Sequence, residues 1–144
     1  MTRYADSSFL VSCYLTDANT AEAKTYLSGT TSPLGFNVLQ AVEVGNAFNL
    51  GVFRGLFSAS EAASARANLD QDLRTGRLVK TTVTWPLVLR VSSLLSKRHS
   101  AVLGTRTLDI LPVAAARSLR ASEFISFDAR QRSLAAAVGL KVSP

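Results

Sequence analysis

Short segments with strand chemistry alternate with longer helical ones along this chain, and that alternation constrains the fold more than any single residue. Strand signals at residues 3–6, 34–36, 78–83, 123–127 and 140–142 are separated by helical patterns at about 8–15, 21–28, 38–53, 60–75, 109–119 and 129–138. One more helix is predicted after Thr84, which can cap it, with Pro86 in its first turn and an end near residue 97. Turn chemistry at 29–33, a break at 55–58, a closing Gly76 and a loop at 98–106 punctuate the series. Strands joined by helices favour a parallel sheet with right-handed crossovers, so the expected architecture is a three-layer α/β/α domain with about five central strands. With 144 residues, 47% of them hydrophobic, residues 1–144 are expected to share one core, and no repeat or linker interrupts them.

Charge narrows the partners. The formal balance is +6 with a sequence pI near 10.1, which favours an anionic partner such as nucleic acid. Arg, whose planar fork matches phosphate, supplies most of the cations. They gather late, as Lys97, Arg98, Arg106, Arg117, Arg120, Arg130, Arg132 and Lys141. Cys13 is the sole cysteine, so no intrachain disulfide can form, and it reads as a small core residue rather than a nucleophile. The first apolar run is short, is interrupted by Ser12 and closes at Asp17, the pattern of a folded helix rather than an export signal. Nothing is long and apolar enough to cross a bilayer, and the cytoplasm is the expected setting.

Against so few charges (18%), four carboxylates stand in apolar surroundings: Asp6, Glu43, Asp109 and Asp128. Asp6 ends the first strand and Asp128 the fourth, and ligands of parallel sheets collect beyond such carboxyl ends. Asp109 opens a helix in the connection leading to that fourth strand. Glu43 is the only charged residue between Lys24 and Arg54, in a helix apolar on nearly every side, where an unpaired carboxylate would be expensive. Gln40, Asn46 and Asn49 could line a polar seam beside it. Each Asp alone is explained by helix capping, and Asp128 with Gln131 fits a capping box. Together the four acids point to a divalent cation, because acids gathered in low dielectric resist ionising unless a cation neutralises them. Oxygen donors suit Mg²⁺ or Mn²⁺, and the chemistry such a site performs is phosphodiester hydrolysis.

The matching pieces are Tyr4-Ala5-Asp6-Ser7-Ser8; Glu43 after the second strand; Arg106-Thr107-Leu108-Asp109-Ile110-Leu111 leading into Val113-Ala114-Ala115-Ala116; and Ile125-Ser126-Phe127-Asp128 before a helix ending Ala137-Val138-Gly139-Leu140. In order and spacing the chain resembles PIN-domain ribonucleases, specifically the VapC toxins of bacterial toxin–antitoxin pairs. The resemblance implies a metal-dependent endoribonuclease toxin with RNA as substrate, 5′-phosphate and 3′-hydroxyl products, a cognate VapB-type antitoxin and a homodimer, with dimer surface expected from residues 47–57 and 87–95. Ser7 and Ser126 are then candidates to support the metal ligands or touch phosphate, and Arg106 is the first candidate for a phosphate contact. Two departures stand out. Pro112 occupies a place where relatives often carry His, and it reads as neutral in a first helical turn. Arg130 and Arg132 lie where some relatives place a further acid.

Two other readings compete. One is a catalytically inactive PIN-like RNA-binding module. The other is a phosphoaspartate enzyme, weakened by the absence of an adjacent acid pair and by Ser8, where a second acid would stand. His99, in Lys97-Arg98-His99, reads as surface loop, and Trp85 as apolar packing.

Overall fold

A computed structural model describes residues 3–144. The strands are β1 (Arg3–Ala5), β2 (Leu34–Phe36), β3 (Leu78–Lys80), β4 (Glu123–Ile125) and β5 (Lys141–Ser143). The helices are α1 (Ser7–Tyr14), α2 (Thr20–Ser28), α3 (Val38–Phe53), α4 (Ala59–Thr75), α5 (Trp85–Leu95), α6 (Ala101–Leu103), α7 (Thr107–Ser118) and α8 (Ala129–Ala137). Every pairing is parallel, as the alternation predicts, but the expected five-stranded sheet is divided among the described residues into β1-β4-β5 and β2-β3. Contacts divide the chain in the same way, into Thr82–Ser143 with the N-terminal strand, and Ser7–Thr81.

In the first unit β4 is central. Tyr4 pairs with Phe124 and Ala5 with Ile125 on one side, while Phe124 pairs with Val142 on the other. All three residues of β4 are buried, as a strand covered on both faces must be. The Tyr4 and Phe124 rings stack with centroids 5.7 Å apart. Helix α7 packs against α5 and α8, and Val113 with the run Ala114-Ala115-Ala116 is wholly buried there. Small side chains let the helices approach closely, and Val88, Leu95 and Leu134 fill the core around them. Trp85 packs on that core, as expected.

The predicted ends shift where hydrogen bonding dictates. Helix α7 begins at Thr107 rather than 109, which puts Pro112 beyond the first turn. There the proline ring has no N–H for the Leu108 carbonyl, a loss set against complete burial of the ring. The segment 98–106, expected as loop, stays wound as a π-helical turn (Ser96–Ser100) followed by α6, because no breaker precedes Gly104 and Leu103 packs on the core. Gly104 then adopts φ 66°, ending the coil.

In the second unit α1 packs against α2 and α3, and α4 against α3 and β3, around Phe9, Leu10, Phe36, Val44, Phe48, Leu69 and Leu78. Strand β3 ends at Lys80 instead of 83. Its last ladder bond is Thr81 N–H to the Phe36 carbonyl (2.9 Å), after which β2 has already turned into the cap of α3. Helix α3 starts with a closed capping box: Asn37 Oδ1 accepts the Leu39 and Gln40 N–H groups at 2.9 and 3.2 Å, and Gln40 Oε1 accepts the Asn37 N–H at 2.7 Å. Helix α4 repeats the device with Ser58 and Glu61.

The prediction that α3 is buried all round fails. Gln40, Val44, Phe48 and Gly51 form its buried stripe, whereas Val38, Val42 and Phe53 are 63%, 68% and 86% exposed. Neighbouring helices cover one face only, and apolar residues are common on uncovered faces. A Cβ at Gly51 would run into the Phe57 ring, so glycine is required where the chain folds back. The expected polar seam also dissolves: Gln40 caps, Asn49 accepts from Arg66, and Asn46 is exposed.

Candidate active site

Two of the predicted acids lie at the carboxyl ends of adjacent strands. Strand β1 stops at Ala5, and Asp6 continues its ladder by donating its N–H to the Ile125 carbonyl at 2.9 Å. The Asp6 residue is wholly buried. Three residues past Ile125, Asp128 caps α8, its Oδ1 accepting the Gln131 N–H at 2.9 Å. The strands therefore bring both carboxylates to one rim of the sheet, where the alternation places a ligand.

Ser126 holds that rim together. It is wholly buried, its N–H donates to the Ser143 carbonyl at 2.9 Å, and its Oγ accepts the Asp128 N–H at 3.0 Å. Arg132 clamps the same loop from the helix side, donating from Nη1 to the Ser126 carbonyl at 2.7 Å. Ser126 thus supports Asp128 and offers no surface to phosphate. Nothing in the sequence singled out Arg132 for this task. Its only signal was spacing, since a residue four after an N-cap faces back over the first turn.

Asp109 is third in α7 rather than first. Its Oδ2 accepts the Arg106 N–H at 2.8 Å and lies 3.5 Å from Arg106 Nε. The acid is buried while the Arg106 side chain is 71% exposed, so most of the guanidinium remains turned to solvent, available to an anion. Asp109 and Asp128 therefore both make helix-start hydrogen bonds, the capping role that the sequence offered for each of them. Ser7 is the first residue of α1 and is half-buried. Glu43 sits in mid-α3, in the other unit, half-buried with Oε2 enclosed.

Among the described residues no three His, Cys, Asp or Glu side chains stand close enough to surround a metal ion by themselves. The donor chemistry nonetheless fits Mg²⁺ or Mn²⁺, which are commonly bound through one or two carboxylates with water completing the shell.

A separate cavity of about 590 Å³ lies in the second unit, beside the first residues of β2 and β3. Its walls include Leu10, Leu27, Cys13 and Tyr14. Tyr14 donates to Asp72 Oδ2 at 2.9 Å, and Asp72 Oδ1 pairs with Arg77 at 3.6 Å. Burial, then the bond to Asp72, holds the Tyr14 hydroxyl far above the ordinary phenol range. Burial, then the nearby Asp72 carboxylate, pushes the Cys13 thiol up to about 12. A thiol held protonated in this way is no nucleophile, in agreement with the sequence reading.

No family model matches the sequence, and no curated protein matches it. Among solved structures, the chain is similar to VapC20 of Mycobacterium tuberculosis, a toxin that cleaves the sarcin–ricin loop, with TM-score 0.71 and 19% identity over 99% of this chain and 100% of that one. It is also similar to FitAcB from Neisseria gonorrhoeae, with TM-score 0.68 and 13% identity over 100% of this chain and 97% of that one. At these identities the likeness is one of fold, and the chain has a PIN-like α/β fold along its whole length.

Proposed function

We propose that this chain is a metal-dependent endoribonuclease toxin of the VapC type. The observation that carries the reading is the pair Asp6 and Asp128, set at the carboxyl ends of neighbouring parallel strands, Asp6 donating its N–H to the Ile125 carbonyl of β4 and Asp128 accepting the Gln131 N–H in the first turn of α8. Asp6 and Asp128 would hold Mg²⁺ or Mn²⁺, with water completing the shell and Asp109 contributing through a bridging water. When bound, such a cation activates water and stabilises charge growing on the phosphate. Arg106, exposed and tethered only loosely to Asp109, binds the scissile strand through phosphate. Ser126 and Ser7 support the neighbouring acids.

The likeness to the sarcin–ricin-loop-cleaving VapC20 supports RNA as the substrate class. The partner is a VapB-type antitoxin that places a cation over the acids, the setting is the cytoplasm, and residues 1–144 act as one functional domain. No helix among the described residues is long and apolar enough to cross a membrane. A homodimer would use the exposed apolar residues Phe53 and Leu56, or Leu87, Leu89 and Leu94. Sedimentation as a monomer at working concentration would remove the dimer.

The decisive experiment compares wild type with Asp6→Asn and Asp109→Asn on total cellular RNA, with and without Mg²⁺ or Mn²⁺. Asn keeps shape and capping while removing charge. Cleavage that needs the metal and fails in both variants is the expected result. RNA binding without metal-dependent cleavage would instead make the chain a PIN-like binding module, a reading that the capping roles of Asp109 and Asp128 support.

A further inference from the structure

Helix α8 begins with the residues of a capping box, but only half of the box forms. At α3 the glutamine three residues after the cap reaches back and accepts the cap's N–H at 2.7 Å. Gln131 occupies the equivalent place after Asp128, and its backbone N–H makes the expected 2.9 Å bond to Asp128 Oδ1. The reciprocal donor is already taken, because the Asp128 N–H is bonded to Ser126 Oγ at 3.0 Å. Arg132 holds the Ser126 carbonyl at 2.7 Å, so the loop is not free to release it.

Gln131 Oε1 is consequently buried with no hydrogen-bond partner, in a residue only 6% exposed. An orphaned acceptor of this kind is destabilising, and an apolar side chain of similar size would avoid the cost. Gln40 demonstrates that a glutamine at this position spans to the cap residue, so Gln131 has the reach to serve the surroundings of Asp128. What it lacks is a donor or a cation.

We infer that Gln131 is a positioning residue of the cation site, its amide oxygen serving the hydrated divalent ion held at Asp128. This rests on the metal reading above. The diversion of the Asp128 N–H to Ser126 keeps the oxygen free until the ion arrives. An amide oxygen suits the role because it is hard, neutral and unaffected by pH. Groups that support a metal site from outside its direct ligands typically alter affinity about 10–100-fold.

The test is Mn²⁺ titration of the full chain, read as free Mn²⁺ by electron paramagnetic resonance, together with thermal melts in EDTA. Gln131→Leu should weaken Mn²⁺ binding about 10-fold while melting in EDTA no lower than wild type. Gln131→Glu should bind Mn²⁺ more tightly than wild type. Unchanged Mn²⁺ affinity in Gln131→Leu would overturn the inference and leave the oxygen to a buried water. Should the Leu variant not fold, the Glu variant decides, with tighter binding supporting and unchanged binding refuting. Wild type that binds no Mn²⁺, or Asp6→Asn and Asp128→Asn variants that bind it undiminished, would instead remove the metal reading itself, and this inference with it.

Discussion

The first turns of α3 and α8 carry nearly the same residues in the same places, an Asn or Asp cap followed three positions later by Gln, and they are wired differently. At Asn37 both bonds of the box close inside the turn, and the cap residue is buried. At Asp128 the returning bond is diverted to Ser126, and the glutamine oxygen is left without a donor. The contrast teaches that identical local chemistry has two uses. Where the turn only starts a helix, its polar groups satisfy one another; where it borders the rim of the sheet, one acceptor is withheld from that pairing.

The largest effect expected from breaking the contrast is at its charged end. Asp128→Asn should lower RNA cleavage by at least about 100-fold while shifting stability by less than about 0.5 kcal/mol, because Asn caps as well as Asp. Turnover assays beside urea melts check both halves. Next comes Asn37→Ala, which strands the Leu39 and Gln40 N–H groups in a buried turn. It should reduce stability by about 1–2 kcal/mol and leave Mn²⁺ affinity unchanged; an altered affinity would mean that the closed turn also serves the site.

Ser126→Ala should produce a smaller and more selective change. Freed from the hydroxyl, the Asp128 N–H can turn to Gln131, so α8 would close like α3. Mn²⁺ binding should weaken about 10-fold with stability nearly preserved, and a crystal structure of the variant would reveal the new bond. The smallest effect belongs to α4. Backbone and hydroxyl bonds from Ser58 hold the exposed Glu61 carboxyl below the usual carboxylate range. Its contribution is present above the ordinary glutamate range and is lost as pH falls through the depressed value. Melting curves of Glu61→Gln should therefore meet those of wild type in acid and fall slightly below them at neutral pH.

Much of this was legible from residue order. Leu34–Phe36 and Val38–Phe53 form at their predicted bounds, because a turn, a cap and a Gln three places on are local signals. The other strands' ends were misread by one to three residues, since pairing stops when the partner runs out and no residue announces that. The tract from residue 98 was misread because His, Ser and Gly suggested a loop, while packing of the partly buried Leu103 against distant residues kept it helical up to Gly104. Glu43 stood out correctly as a lone charge in mid-helix, but the burial of its helix was overestimated from apolar content alone. Asp6, Asp109 and Asp128 were singled out as site candidates by their isolation. Gln131 was not, because an orphaned oxygen exists only relative to a bond made elsewhere.

The π-helical turn at Ser96–Ser100 has a bearing on how this chain can change length. Such a turn accommodates one more residue than the α-helix around it, so it is where an insertion can be absorbed without unwinding. Removing a single residue there would let α5 run on into α6 as regular helix, rotating everything beyond it by roughly 100°. The Ser100–Thr105 hydroxyl contact at 2.9 Å would be broken, and Arg106 would swing to a new bearing. Evolutionary drift in the size of this tract should consequently register as a change in what this surface grips, well before it registers as failure to fold.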